Sequence, residues 1–221
     1  MAARRLNGPA LILIASLVAG ISFYFVKDAD LSKLAFAAWK GAGVALLAAF
    51  ALMQPRNPNM LRLALVMALG ACGDVLLEWN QTAGGAAFLL GHLEAISLYL
   101  RNRRPQPVGS QRLAAASLLM IAPLLAWQLT ASLAIVLYAA ALGAMAASAW
   151  LSSFSRYRVG LGAVMFVASD LLIFARLGPL ATSPLPGLLI WPLYYFGQFL
   201  ICIGVVGLFT GRDQPGLAIE R

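Results

Sequence analysis

Two aspartates interrupt strongly apolar stretches of this sequence: Asp74 in Gly73-Asp74-Val75-Leu76-Leu77 and Asp170 in Ser169-Asp170-Leu171-Leu172-Ile173. Lys40, Glu78, His92, Tyr194, Tyr195 and Gln198 interrupt other apolar runs, and Arg176 closes one. Ionisable groups inside hydrocarbon are expensive, so they tend to face a cavity, to pair or to do chemistry. Two carboxyls close together in a dry pocket cannot both ionise, which lets one keep a proton while its neighbour stays charged. That division suits general acid catalysis beside a developing cation. The substrate it suits is an acid-labile ether whose lipid chain stays in the bilayer. For a vinyl ether, protonation of the outer alkene carbon gives an oxocarbenium ion. A carboxylate can stabilise that ion and direct water to it, and the hemiacetal then collapses to an aldehyde and an alcohol. The charge requirements are those of glycoside hydrolysis.

A structural reading of the same residues stays open. Asp74 and Asp170 would then pair with Lys40 or Arg176, Lys40 would snorkel to an interface, and Glu78 would be a boundary carboxylate. Glu94 would balance the arginines beyond Leu100, while Trp79, Trp127, Trp150 and Trp191, near segment ends, would form an interfacial aromatic belt. No Gly-rich phosphate loop, His-Glu-x-x-His zinc motif or Gly-x-Ser-x-Gly elbow occurs. A single histidine excludes a multi-histidine metal site. Ser97 and Ser169 are candidate nucleophiles without a recognisable triad. Cys72 and Cys202 lie apart in apolar segments and read as two buried, inert thiols. No cofactor is indicated.

The elements that position these groups follow from composition. Of 221 residues, 62% are hydrophobic and 11% charged, against roughly 25% charged in an ordinary soluble domain. Lipid is the solvent that fits. The sequence divides into eight apolar spans, at 9–26, 34–53, 61–79, 84–100, 111–130, 132–151, 160–177 and 187–209. Each must be helical, since an isolated strand would leave backbone groups unpaired in hydrocarbon. Lys27 to Lys33, Gln54-Pro55-Arg56-Asn57-Pro58 and Arg101 to Pro107 supply breaks. Arg4-Arg5 before the run from Ala10 to Val26 has the form of a signal peptide, but the run is long enough to span and reads as a retained first helix. The expected architecture is all-α: a single transmembrane domain, a bundle of eight helices. The likeness of the two Asp-containing segments, four helices apart, fits a duplicated four-helix unit.

The net charge of +8 does not point to nucleic acid, because the basic residues lie singly or in small groups between apolar runs. They read as topology signals. With the N-terminus inside, cytoplasmic segments hold 12 basic residues, among them Arg4, Arg5, Arg212 and Arg221, while the other side holds only Lys27, Lys33 and Arg176. That bias puts both termini in the cytoplasm. It also puts Asp74, Glu78, Asp170, Lys40, His92, Tyr194, Tyr195 and Gln198 at depths from which all could line one pocket opening toward the outer leaflet.

The order of motifs is itself informative: Lys40, Gly73-Asp74-x-x-Leu77, Phe88-x-x-Gly91-His92, Arg158-x-Gly160, Phe166-x-x-Ser169-Asp170 and Tyr194-Tyr195-x-Gly197-Gln198. In this order on eight helices the sequence resembles the YhhN family of multipass membrane proteins, whose characterised members are lysoplasmalogenases. The resemblance covers nearly the whole chain. It implies hydrolysis of the vinyl ether of lysoplasmalogen to a fatty aldehyde and glycerophosphoethanolamine or glycerophosphocholine. It implies Asp74 and Asp170 as the central acidic pair; the resemblance leaves open which is the acid, and Asp170 is assigned here as the acid, with Asp74 stabilising the cation or directing water. His92, Tyr195 and Gln198 would orient groups, Glu78 and Tyr194 would line the substrate, and Lys40 or Arg176 would meet the lipid phosphate. The partners implied are a lysophospholipid and membrane lipids, in a bacterial cytoplasmic (inner) membrane. The competing readings are a proton-coupled small-molecule or lipid transporter and a noncatalytic lipid-binding membrane protein.

Overall fold

A computed structural model describes residues 7–210. Among them lie α1 (Gly8–Val26), α2 (Lys33–Leu52), α3 (Pro58–Leu76), α4 (Gln81–Arg101), α5 (Gly109–Thr130), α6 (Leu133–Leu151), α7 (Leu161–Arg176) and α8 (Leu185–Phe209), with a π-helical turn at Arg156–Gly160 leading into α7. Counted with that turn, all eight helices are long and apolar enough to cross a membrane. The chain is an all-α polytopic membrane protein. Every expected span corresponds to one of these helices, with ends displaced by a few residues, and the π turn was not anticipated. Arg4, Arg5, Arg212 and Arg221, which enter the charge count, lie outside the described residues.

The chain divides into two compact units, residues up to Ala95 and residues from Ile96. In the first, α2 packs against both α1 and α3. α1 shows the pattern of a lipid-solvated helix: Leu11, Ile14, Val18, Ile21 and Phe25 form an exposed apolar stripe, while Ser16, Gly20 and Phe23 are buried. With lipid outside, there is no reason to hide leucine, and small or polar groups that let backbones approach turn inward. Ser16 does so by donating to the Gly43 carbonyl on α2, at 2.7 Å. The N-terminal amides are capped by Asn7, Ser32, Asn57 and Asn80 on α1 to α4, which satisfies donors that lipid cannot.

In the second unit α5 pairs with α6 and α7 with α8. α5 ends at Ala131, whose backbone is left-handed (φ 48°) and whose amide closes on the Trp127 carbonyl at 2.8 Å. This sharp reversal makes the turn between the expected spans 111–130 and 132–151. Residues 102–104 and 151–153 are joined by backbone bonds, Arg104 to Leu151 at 2.9 Å and Ser153 to Asn102 at 2.7 Å. α7 and α8 cross where Gly162 and Gly197 face one another. A Cβ on either would stand 2.6 or 2.8 Å from the other's carbonyl oxygen, so neither position admits a side chain at this spacing.

Candidate active site

The polar residues singled out from sequence occupy positions that a packed helix normally gives to apolar side chains. On α3 the buried face runs Met60, Leu63, Met67, Gly70, Asp74; on α7 it runs Ala163, Phe166, Val167, Asp170, Phe174. His92 follows Phe88 on α4, and Gln198 continues Trp191, Tyr194 and Tyr195 on α8. Asp74, His92 and Gln198 are each 2% exposed and Asp170 5%. At three- and four-residue spacing these groups lie on the inner stripes of their helices. They are thus enclosed by protein and withheld from lipid.

In the first unit, α3 and α4 are antiparallel neighbours. The Phe88 ring lies against Gly73, close enough that a Cβ there would meet it at 2.6 Å, and Leu77 lies against Gly84. That register sets His92 about five residues, or roughly 7 Å, further along the axis than Asp74. Because side chains lean toward their own helix N-terminus, Asp74 and His92 lean toward one another's level. Lys40 Nζ donates to Glu78 Oε1 at 2.6 Å, and Arg62 Nη1 to Glu94 Oε1 at 2.6 Å. Both pairs are part-buried, and they join α2 and α4 to opposite ends of the α3 region. α3 ends at Leu76, so Glu78 lies in the following turn and not within the helix, as the longer expected span 61–79 would have it. Glu94 is balanced by Arg62 and not by the arginines beyond Leu100.

In the second unit, the Tyr138 hydroxyl of α6 donates to Asp170 Oδ2 at 2.7 Å. Tyr138 is held edge-on against Phe174 at 6.1 Å, within a cluster that includes Ala126, Ala139 and Leu171. Sequence reading missed Tyr138. Its signal was periodicity, since it precedes Leu142, Met145 and Ala149 on the packed stripe of α6, where a hydroxyl must find a protein partner. The neutralising partners considered for Asp170, Lys40 and Arg176, are otherwise disposed: Lys40 faces Glu78, and Arg176 is exposed at the end of α7.

α8 contributes an aromatic wall. Trp191 stacks on Tyr195 with an interplanar angle of 12° at 6.0 Å, and Tyr194 meets Phe166 of α7 edge-on at 5.2 Å. Trp191 is buried and therefore does not belong to an interfacial belt, because its position in the 191, 194/195, 198 repeat turns it inward. Ser169 donates to the Ile190 carbonyl at 3.0 Å, next to Pro192, which itself cannot donate within the helix. Cys72 is exposed, on the side of α3 away from the Met67–Gly70–Asp74 stripe, so only Cys202 is a buried thiol. Among the described residues no group of three or more His, Cys, Asp or Glu could hold a metal ion.

In the first unit a carboxyl and an imidazole, and in the second a carboxyl and an amide, are thus enclosed by protein and kept from hydrocarbon. Residues 35–205 match the YhhN family. The chain belongs to that family. This YhhN protein is also 31% identical over 191 residues to proteins named lysoplasmalogenase from Mycobacterium bovis and Mycobacterium tuberculosis, covering 80% of the chain and 72% of each relative. No solved structure matches it.

Proposed function

We propose that this YhhN protein hydrolyses the vinyl ether of a lysoplasmalogen, releasing a fatty aldehyde and a glycerophosphoethanolamine or glycerophosphocholine. The observation that carries the reading is the buried Asp170 carboxyl held by Tyr138 on an inner stripe of a membrane span, in a chain related to two lysoplasmalogenases.

With Oδ2 accepting from Tyr138, a proton on this carboxyl belongs on Oδ1. Asp170 gives that proton to the outer alkene carbon; the C=C π electrons form the new C–H bond, and the ether oxygen shares the resulting positive charge. Asp74 stabilises the oxocarbenium ion or takes a proton from the attacking water. Water adds to the carbon bearing oxygen, and the hemiacetal C–O bond breaks to free the aldehyde and the glycerol alcohol. The proton from water restores the acid. Trp191 and Tyr195 offer π faces beside a passing cation, and His92, Tyr195 and Gln198 orient groups. Glu78 and Tyr194 line the lipid. Arg176 is the cation for its phosphate, since at Lys40 a phosphate would compete with Glu78. The membrane concerned is the bacterial cytoplasmic (inner) membrane.

The test is turnover of matched lipids by purified protein in heavy water. The vinyl ether lipid yields aldehyde carrying deuterium on the carbon next to the carbonyl, and the saturated alkyl ether is inert. Equal turnover of both ethers contradicts carbon protonation. Proton-coupled uptake into proteoliposomes without aldehyde assigns the carboxyls to transport.

A further inference from the structure

Gln198 is 2% exposed, and among the described residues its Oε1 has no hydrogen-bond partner. A buried amide oxygen left without a donor is destabilising, at a stripe position where leucine or methionine would pack without that penalty. Tyr99 Oη shares this condition, but Tyr99 lies in the last turns of α4, packed edge-on against Phe154, away from the α7–α8 carboxyl and aromatic groups. Gln198 stands among them.

The contacts between α7 and α8 fix where. Gly162 faces Gly197, Phe166 faces Tyr194, and Ser169 reaches Ile190. In this antiparallel register Asp170 is level with Ile190, so Gln198 lies about eight residues, or roughly 12 Å, further along the axis. Both side chains lean toward their own N-termini and hence toward each other, which shortens the gap between carboxyl and amide to well under that span. The stacked Trp191 and Tyr195 occupy the interval on α8.

We propose that the Gln198 carbonyl is the acceptor for the free glycerol hydroxyl of a lysolipid, and that it selects lipids lacking the second acyl chain. This rests on the lysoplasmalogenase reading and deepens it. In a lysolipid the free hydroxyl is on the carbon next to the one bearing the ether. One anchored on Gln198 therefore extends its ether along the Trp191–Tyr195 wall toward Asp170. A site built to bond a hydroxyl discriminates strongly against a ligand without one, because the protein group is then left unpaired. An acylated lipid has no donor at that oxygen.

The test separates binding from turnover by using two uncleavable probes: 1-O-hexadecyl-2-hydroxy-glycerophosphoethanolamine and its 2-deoxy counterpart, which lacks the donor and adds no bulk. Binding to the detergent-purified full chain is followed by tryptophan fluorescence. The hydroxyl lipid is expected to bind about 10- to 100-fold more tightly. Gln198→Met abolishes that preference, and Gln198→Glu, which keeps an acceptor oxygen, retains it. Equal affinity of the two probes for the unmodified protein, failure of the hydroxyl lipid to bind, or an undiminished preference in Gln198→Met overturns the proposal. The comparison on unmodified protein decides even where the methionine variant does not fold. Aldehyde release is measured separately, so hydroxyl preference without cleavage of a vinyl ether counts against the hydrolase reading and not against Gln198.

Discussion

The Tyr138 hydroxyl donates to Asp170 Oδ2 across 2.7 Å, from α6 to α7. The bond fixes the carboxyl's rotation and makes Oδ1 the oxygen on which the proposed acid would carry its proton. Phe174, one turn beyond Asp170, packs edge-on against the same tyrosine ring. Carboxyl and phenol are thus placed by one helix pair.

Tyr138→Phe keeps the ring and its packing and removes the donor. A hydrogen bond to a carboxyl contributes about 1.5–3 kcal/mol, so kcat is expected to fall roughly 10- to 100-fold while KM is unchanged. Steady-state kinetics on the vinyl ether lipid check this. A rise in KM at constant kcat would make Tyr138 a binding group.

Gly197→Leu is expected to lower the melting temperature in detergent. Gly162 lies opposite, and a Cβ at 197 stands 2.8 Å from its carbonyl. α7 and α8 must separate, at about 1–3 kcal/mol or more. Gly187, with open space where its Cβ would be, is the control: Gly187→Ala leaves the transition in place.

Ala131→Gly is expected to stabilise the protein by about 1 kcal/mol, since alanine holds a left-handed backbone at the α5 C-terminus that glycine adopts without a Cβ clash. Thermal unfolding of the two proteins side by side gives the sign.

Lys40→Met leaves the Glu78 carboxylate part-buried without its ammonium and is expected to cost about 2 kcal/mol, between the values for exposed and fully buried pairs. Lys40→Met combined with Glu78→Gln is expected to recover most of that loss. A double variant less stable than Lys40→Met would show that Glu78 serves more than this pair.

Much of this organisation was legible in the sequence because lipid imposes a strong pattern. Helix lengths, the breaks at Pro58 and Arg101 to Pro107, and the polar interruptions at Asp74, His92, Asp170 and Gln198 follow from hydropathy and from the cost of charge in hydrocarbon. Which side of a helix faces inward was harder, since apolar residues cover both sides. Cys72 was expected to be buried and is exposed, while Trp191 was expected at an interface and stacks inside on Tyr195. Tyr138 escaped notice because a lone tyrosine in an apolar run carries no charge to mark it. Pairings such as Arg62 with Glu94 depend on helix register, which residue spacing along one helix does not encode. The π turn at Arg156–Gly160 lets Val159 and Arg158 pack against Gly204, a tertiary contact with no local sequence signal.

The central proposal is that Asp74 and Asp170 are each required for vinyl ether cleavage. Aldehyde release from lysoplasmenylethanolamine by purified protein, compared with Asp74→Asn, Asp170→Asn and the double variant, tests it most directly. Groups acting as a unit are strongly non-additive, so each single variant is expected to lose nearly all activity and the double to lose no more. Modest single losses that multiply in the double variant, or full activity in either folded single variant, would contradict the account.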